Sequence, residues 1–347
     1  MVERISDAAS ASRTVDLSKT LLSLTASIIC KIAFGRNHLV EPERRIDVLR
    51  TSGEARAVLG SFCFEDHFGW VGSIVDKVTG LSSKLQGVFV ELDSFYGVLI
   101  QDHLDKEKEE EDPEDFIDVL LRMSEDRSGS VHVSRDHVKA VLMNIFIGAT
   151  DTSAATLVWA MTALKKNLGV MSKAQREVRS SVGNKGFVDE DDLLGLPYLK
   201  AVVKETLRLY PPAPLLVPRE TTQRCILSGY EIRPTKTPVY INAQAIGRDG
   251  ECWESAEEFW PERFLGSNVD FRGQSFELMP FGGGRRVCPG VGLAAVTLEL
   301  ALADLLYSFD WELAEGMEEE DDVDIEAMPG LTMHKKIPLC LRPKIKN

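Results

Sequence analysis

Phe281-Gly282-Gly283-Gly284-Arg285-Arg286-Val287-Cys288-Pro289-Gly290 places one cysteine in a glycine-rich turn, directly ahead of an apolar helical run from Val291 to Tyr307. Cysteine reacts and binds metal as the thiolate. The N–H groups of a turn at a helix N-terminus stabilise such a negative charge. Glycines at 282, 283, 284 and 290 let backbone approach a large flat ligand where side chains would clash. Arg286 adds a positive charge two residues from the sulfur, and Phe281 is placed to shield it from water.

A haem iron with an axial cysteine and acidic propionates asks for these features together. Two plainer readings compete. Glycine-rich turns before helices also bind phosphate, and many buried cysteines are inert. A Gly-Gly-Gly turn alone favours those; the whole pattern Phe-x-x-Gly-x-Arg-x-Cys-x-Gly is far more specific.

The chain has 347 residues, 44 % of them hydrophobic, enough for a sizeable core. A net charge of −14 argues against nucleic acid as a partner. The six cysteines, at 30, 63, 225, 252, 288 and 340, form no C-x-x-C pair, which suits a reduced, intracellular protein. The histidines are scattered and show no zinc spacing. The N-terminus lacks the apolar core of a signal peptide. Leu21 to Phe34 is apolar but interrupted by Ser23, Thr25, Ser27 and Lys31, so a buried amphipathic helix is expected rather than a membrane span or anchor.

The first third reads as helices: Lys19 to Phe34 with Ser18 as N-cap, Glu41 to Leu59, and Ser82 to Lys106. Ser61 to Gly80 reads as mixed loop and short helix, Lys106 to Glu114 as a charged connector, and Asp115 to Glu125 as a further helix. Ser134 to Asn167 is the longest continuous pattern. At helical rise it spans about 50 Å, and its apolar residues run almost all round, as in a buried central helix. Ser172 to Val182 and Pro197 to Tyr210 follow as helices, the second opened by a proline at its first turn and stopped by Pro211-Pro212. Then Leu227 to Ile232 and Thr237 to Ile241 suggest a small sheet. Glu315 to Glu326 reads as an exposed loop, and Thr332 to Leu341 as a closing hairpin.

Glu205-Thr206-Leu207-Arg208 sets a carboxylate and a guanidinium three apart on one helix face, able to pair bidentately. Alone it is a weak signal. Here it lies about 80 residues ahead of the cysteine turn, with Pro261-Glu262-Arg263-Phe264 between. Within the long helix, Gly148-Ala149-Thr150-Asp151-Thr152-Ser153 offers small residues for close approach to a flat cofactor. A helical Thr152 hydroxyl can bond the Gly148 carbonyl and locally open the helix, and Asp151 beside it gives an acid and an alcohol for relaying protons. A plain helix crossing at small residues is the alternative.

Taken in this order, the motifs resemble those of the cytochrome P-450 family of haem-thiolate monooxygenases. The resemblance runs from about residue 15 to the C-terminus. Asn242 to Asp249, Pro261 to Phe264 and Pro329 to Pro338 look like its plant microsomal A-type subgroup, which typically has Trp where this chain has Gln244. The implied fold is mainly α with small β-sheets. The implied cofactor is haem b, its iron held by the Cys288 thiolate, which promotes O–O cleavage, with Phe281, Gly284, Arg286 and Gly290 lining the cofactor. Arg219 falls where a propionate partner often lies. Ala149 stands where a second glycine is usual and would tighten an oxygen groove. Asp151 and Thr152 would deliver protons, and Glu205, Arg208 and Arg263 would form a structural triad that fixes the thiolate loop.

The resemblance further implies an NADPH-dependent flavoprotein reductase as electron donor, O2 and a small lipophilic plant metabolite as substrates, and the cytosolic face of the endoplasmic reticulum as location. Pocket walls would fall at Ala57 to Glu65, Ile145 to Thr156, Ala213 to Val217 and Met328 to Met333. Family members carry roughly 150 further N-terminal residues, with the anchor, most of the sheet and a Trp-x-x-x-Arg helix. The chain is therefore expected to be one partial domain over 1–347: N-terminal helices in 1–125, the central helix at 134–167, the Glu-x-x-Arg helix at 197–210, and the haem loop with its helix at 281–307. Two readings stay open, a working monooxygenase and a catalytically incompetent truncated fragment that binds haem weakly or not at all. A haem-based sensor has no support beyond the same cysteine.

Overall fold

A computed structural model describes residues 1–35, 48–105, 114–126, 133–233, 237–317 and 322–346. Within them the chain is mainly helical with small antiparallel sheets. The helices are α1 (Val2–Ser10), α2 (Leu17–Phe34), α3 (Val48–Leu59), α4 (Phe64–Val78), α5 (Leu81–Asp105), α6 (Phe116–Glu125), α7 (Arg135–Lys166), α8 (Leu168–Val182), α9 (Pro197–Leu209), α10 (Ala243–Ile246) and α11 (Val291–Ser308). The strands are β1 (Val15–Asp16), β2 (Arg219–Glu220), β3 (Cys225–Leu227), β4 (Tyr230–Ile232), β5 (Pro238–Val239), β6 (Phe309–Leu313), β7 (Ala327–Met328), β8 (His334–Lys335) and β9 (Cys340–Ile345). The chain divides into two compact units, one of residues Leu22–Asp151 and one of Met1–Leu21 with Thr152–Asn347.

The Leu22–Asp151 unit is a helical cluster. On α5 the residues Val88, Leu92, Phe95, Tyr96, Leu99 and Ile100 recur at three- and four-residue spacing and are all buried, the stripe an amphipathic helix needs. They meet Phe34 at the end of α2, whose ring lies 6.3 Å from Phe95 and 5.9 Å from Phe146 of α7. Asp115 caps α6: its carboxylate accepts the Asp118 N–H while Asp118 accepts the Asp115 N–H, a reciprocal arrangement that satisfies two orphan donors.

The larger unit is built on the C-terminal part of α7 with α8, α9 and α11. Pro197 opens α9 without a donor to satisfy, and Glu177 of α8 accepts the next two N–H groups, from Tyr198 and Leu199, at 2.8 Å each. An anion at that helix N-terminus is favoured by the exposed peptide dipoles. A three-stranded sheet of order β1-β9-β6 joins both ends of the chain, with Asp16 opposite Cys340 and Leu313 opposite Leu341.

Several expectations are corrected. Asp16, not Ser18, caps α2, by accepting the Lys19 N–H at 2.9 Å. Ser18 instead accepts the N–H of Leu339, a partner remote in sequence. Residues 61–80 hold a fifteen-residue helix interrupted at Gly69, φ 54° and ψ −130°. Gly72 lies so close to Phe64 that a Cβ would sit 2.0 Å from its carbonyl oxygen. The expected small sheet is two separate pairs, β3 with β4 and β2 with β5. The expected hairpin over 332–341 does not form, because β8 pairs with β7 and β9 pairs with β1 and β6. Residues 41–47 of the second expected helix, nearly all of the charged connector and 318–321 of the acidic run lie outside the described residues.

By length and composition alone, α2, α7 and α11 would each suffice to cross a membrane, contrary to the expectation for the α2 segment. Half of the apolar window of α2 is buried within the protein.

Candidate active site

The cysteine turn is shaped by backbone before side chains. Gly282 and Gly284 both take left-handed dihedrals, φ 71° and 67°, which residues with a Cβ adopt only at a cost. Between them Gly283 is extended. The reversal lets the Cys288 N–H donate to the Phe281 carbonyl at 2.9 Å, closing the turn on itself. Gly290 then starts α11, and a Cβ there would lie 3.8 Å from Cys288 Sγ, so the glycine leaves one flank of the sulfur bare. Cys288 is half-buried and is a free thiol. The Phe281 ring rests against Phe271, centroids 5.4 Å apart. A Cβ on Gly273 would meet the Gly282 carbonyl oxygen at 3.3 Å, so the 271–273 segment is a seat for the turn that sequence reading missed.

Arg219, at the start of β2, reaches this turn. Its Nη2 donates to the Arg286 carbonyl at 3.3 Å, while its Nε is buried with no acceptor. A buried guanidinium N–H without a partner is costly, and an anionic oxygen is the group it lacks. The Arg286 side chain itself is exposed. An accessible thiol beside bare glycine backbone, with an unsatisfied cation nearby, fits a flat iron macrocycle bearing carboxylates. Cys340 lies in β9, where burial, with Asp16 adding to it, pushes its thiol up.

The second motif is saturated. The Glu205 and Arg208 side chains are fully buried, with Arg208 Nε to Glu205 Oε2 at 2.7 Å and Nη2 to Oε1 at 2.8 Å. Arg263 Nε reaches Glu205 Oε1 at 3.2 Å, and the Trp260 N–H donates to the same oxygen at 2.7 Å. Arg208 also donates to the carbonyls of Gly247, Ala256 and Glu258, so all five guanidinium N–H groups have acceptors. Arg263 donates to the carbonyls of Glu254 and Ser255. Trp253 lies against both guanidiniums, 5.3 and 5.8 Å from its ring. The three residues therefore come together, and what they grip directly is the 247–263 segment. A Cβ on Gly247 would fall 2.3 Å from the Arg208 carbonyl oxygen, a close approach only glycine allows.

On α7 the helix continues unbroken through Gly148–Ser153, with no opening at Thr152. The Thr152 carbonyl accepts from the Thr156 hydroxyl at 2.8 Å. Ala149 is half-buried and packs against the helical core of its unit. Asp151 is buried and paired with Arg56 of α3 at 2.5 Å. Nothing in the sequence linked these two, since a contact between residues 95 apart depends on how α3 crosses α7.

A mainly helical fold with a thiol turn ahead of a long apolar helix and a buried Glu-x-x-Arg lock defines a class, the haem-thiolate proteins. The family model for Cytochrome P450 matches residues 1–340, and the chain belongs to that family, whose members are haem monooxygenases. It is 46 % identical to Cytochrome P450 71A1 of Persea americana over 99 % of this chain and 69 % of that protein. It is 45 % identical to 5-OH-xanthotoxin synthase and 46 % to 6,7,8-trihydroxycoumarin synthase, both of Pastinaca sativa, over 99 % of this chain and 68 % of each. A zebra fish cytochrome P450 structure with abiraterone superposes with a TM-score of 0.80 at 23 % identity, covering 100 % of this chain and 76 % of that one. Membership implies a haem held by a cysteine thiolate.

Proposed function

We propose that this chain is the catalytic part of a plant haem-thiolate monooxygenase that inserts one oxygen atom from O2 into a small lipophilic metabolite. The observation that carries the reading is the Cys288 turn, with its N–H locked on Phe281, Gly290 leaving the sulfur bare and Arg219 Nε buried without an acceptor. The names of two relatives point to coumarin-like, flat aromatic lactones as the substrate class. The chain serves as one partial catalytic domain in this reading.

A bound haem would supply oxygen activation, its iron held by a cysteine thiolate. Cys288 would be that ligand. The turn keeps its charge stable through the peptide dipoles at the start of α11. Arg219 and Arg286 would hold the carboxylates. Gly284 and Gly290 would permit close approach, and Phe281 would limit water. Arg56 fixes the Asp151 carboxylate, and the neighbouring Thr152 hydroxyl passes protons. Glu205, Arg208 and Arg263 brace the 247–263 segment and, through it, the approach to the thiolate turn. Electrons come from an NADPH-dependent flavoprotein reductase at the cytosolic face of the endoplasmic reticulum.

The test is turnover of a coumarin with NADPH and a plant reductase under 18O2. One labelled oxygen per product molecule is expected. A haem-free or inert protein would instead favour the incompetent-fragment reading, and a product labelled from water would remove the monooxygenase assignment.

A further inference from the structure

Met333 is buried just ahead of β8, and three remote segments converge on it. Its N–H donates to the Pro212 carbonyl at 2.8 Å. Its carbonyl accepts from the indole Nε1 of Trp159, on α7, at 2.8 Å. Its sulfur lies 3.8 Å from the Gln244 side-chain amide. The Gln244 N–H in turn donates to the Pro214 carbonyl at 3.2 Å. Gln244 therefore touches both the segment after α9 and the loop before β8, which Met333 and Pro212 also join directly.

The clasp has a fixed end and a leading end. Trp159 is held by a parallel stack on Tyr210, centroids 4.6 Å apart, and by the Lys335 ammonium 5.5 Å over its ring. At the other end Leu216 is buried with a left-handed φ of 53°, a conformation that persists only when its surroundings over-determine it. Its Cδ1 lies 3.7 Å from where a Cβ on Gly282 would be, so this segment rests on the cysteine turn. Pro212–Leu216 thus lies between Met333 and the cysteine turn.

We propose that Gln244, acting through Met333, is a specificity-determining positioning residue: it sets the spacing between the 213–217 and 328–333 segments. This rests on the monooxygenase reading, in which both segments face the substrate. Gln244 is where the chain departs from the Trp that its subgroup typically carries. A thioether is a weak acceptor on a flexible side chain, so the Gln244 contact holds Met333 lightly and permits adjustment. An indole at 244 would displace the sulfur and alter the spacing.

Two measurements test it. Hydrogen exchange on the whole chain reads the clasp without any cofactor. Trp159→Phe keeps the ring stack but removes the donor to Met333, and the 330–334 amides should exchange about tenfold faster while the Cys288 amide does not change. Should that variant not fold, Gln244→Ala takes its place in the same measurement. In haem-loaded protein, the affinity ratio for 4-phenylimidazole over imidazole, read from the Soret shift, should change about tenfold in Gln244→Trp, with imidazole affinity held. Unchanged exchange overturns the clasp, and an unchanged ratio at full haem occupancy overturns the specificity role. A parent chain without a thiolate Soret band removes the monooxygenase reading and the specificity role with it, and the exchange result still decides the clasp.

Discussion

The Glu205–Arg208–Arg263 network and the Cys288 turn lie in the same compact unit and were both marked by short motifs, yet they are built in opposite ways. The network is closed: Arg208 spends every donor, Glu205 Oε1 accepts from three groups, and the acid–arginine pair is wholly buried. The turn is open, with a half-buried thiol, bare glycine backbone and an arginine Nε that has no acceptor. A closed network does structural work, because a partner removed from one side leaves a buried charge unpaired. An open one is incomplete by itself, and the group it lacks is a ligand.

The largest loss is expected at the network. Glu205→Ala leaves two buried guanidiniums facing one another and should destabilise by roughly 3–5 kcal/mol, measured by urea denaturation. A loss below about 1 kcal/mol would mean the network is not closed as described. Gly282→Ala should cost about 1–2 kcal/mol. The added methyl meets Leu216 and Arg219 only at ordinary contact distances, 3.7 and 3.9 Å, so the cost is the left-handed backbone alone. The same denaturation series checks it.

Orphaned groups sharpen the contrast. Tyr96 in the helical core also has a buried hydroxyl without a partner, and burial pushes its pKa well above the usual tyrosine value. If that orphan is a packing compromise, Tyr96→Phe should be neutral or stabilising by up to about 1 kcal/mol. Arg219→Leu should likewise not harm the fold, but it should weaken haem binding in a titration. Equal haem affinity in parent and Arg219→Leu would remove the argument from the unsatisfied Nε.

A pH-dependent effect concerns α11, which runs on from the turn. Burial pushes the Asp304 carboxyl up to about 6, with the Val188 N–H partly offsetting it. A carboxyl whose folded pKa is raised stabilises the fold below its unfolded value near 4 and loses that contribution as pH rises through 6. Asp304→Asn should therefore raise the melting temperature at pH 7.5 relative to the parent and show no gain at pH 4. The opposite pH order would contradict the burial argument.

What could be read from sequence was local. The Gly-rich turn, Glu205 and Arg208 on one helix face, Pro197 at a helix start and the all-round apolar α7 each depend on neighbours a few residues apart. What could not be read depends on remote pairing. Ser18 looked like a cap until Leu339 claimed it, and β9 left its expected hairpin to pair with β1 on one side and the five-residue β6 on the other. Arg56 on Asp151, the carbonyls around Arg208 and the indole of Trp159 on Met333 have no signature in the residues that flank them. Arg263 was legible only through its place in a family pattern, since spacing alone cannot bring it to Glu205.

Under the proposed function, haem completes the open turn through Cys288. The measurement is the carbon monoxide spectrum of the reduced, haem-loaded protein beside that of Cys288→Ala at equal folded concentration. The red-shifted Soret band of thiolate ligation is expected in the parent and its complete loss in the variant, with urea stability changed by less than about 1 kcal/mol. A red-shifted band that survives in Cys288→Ala would contradict it.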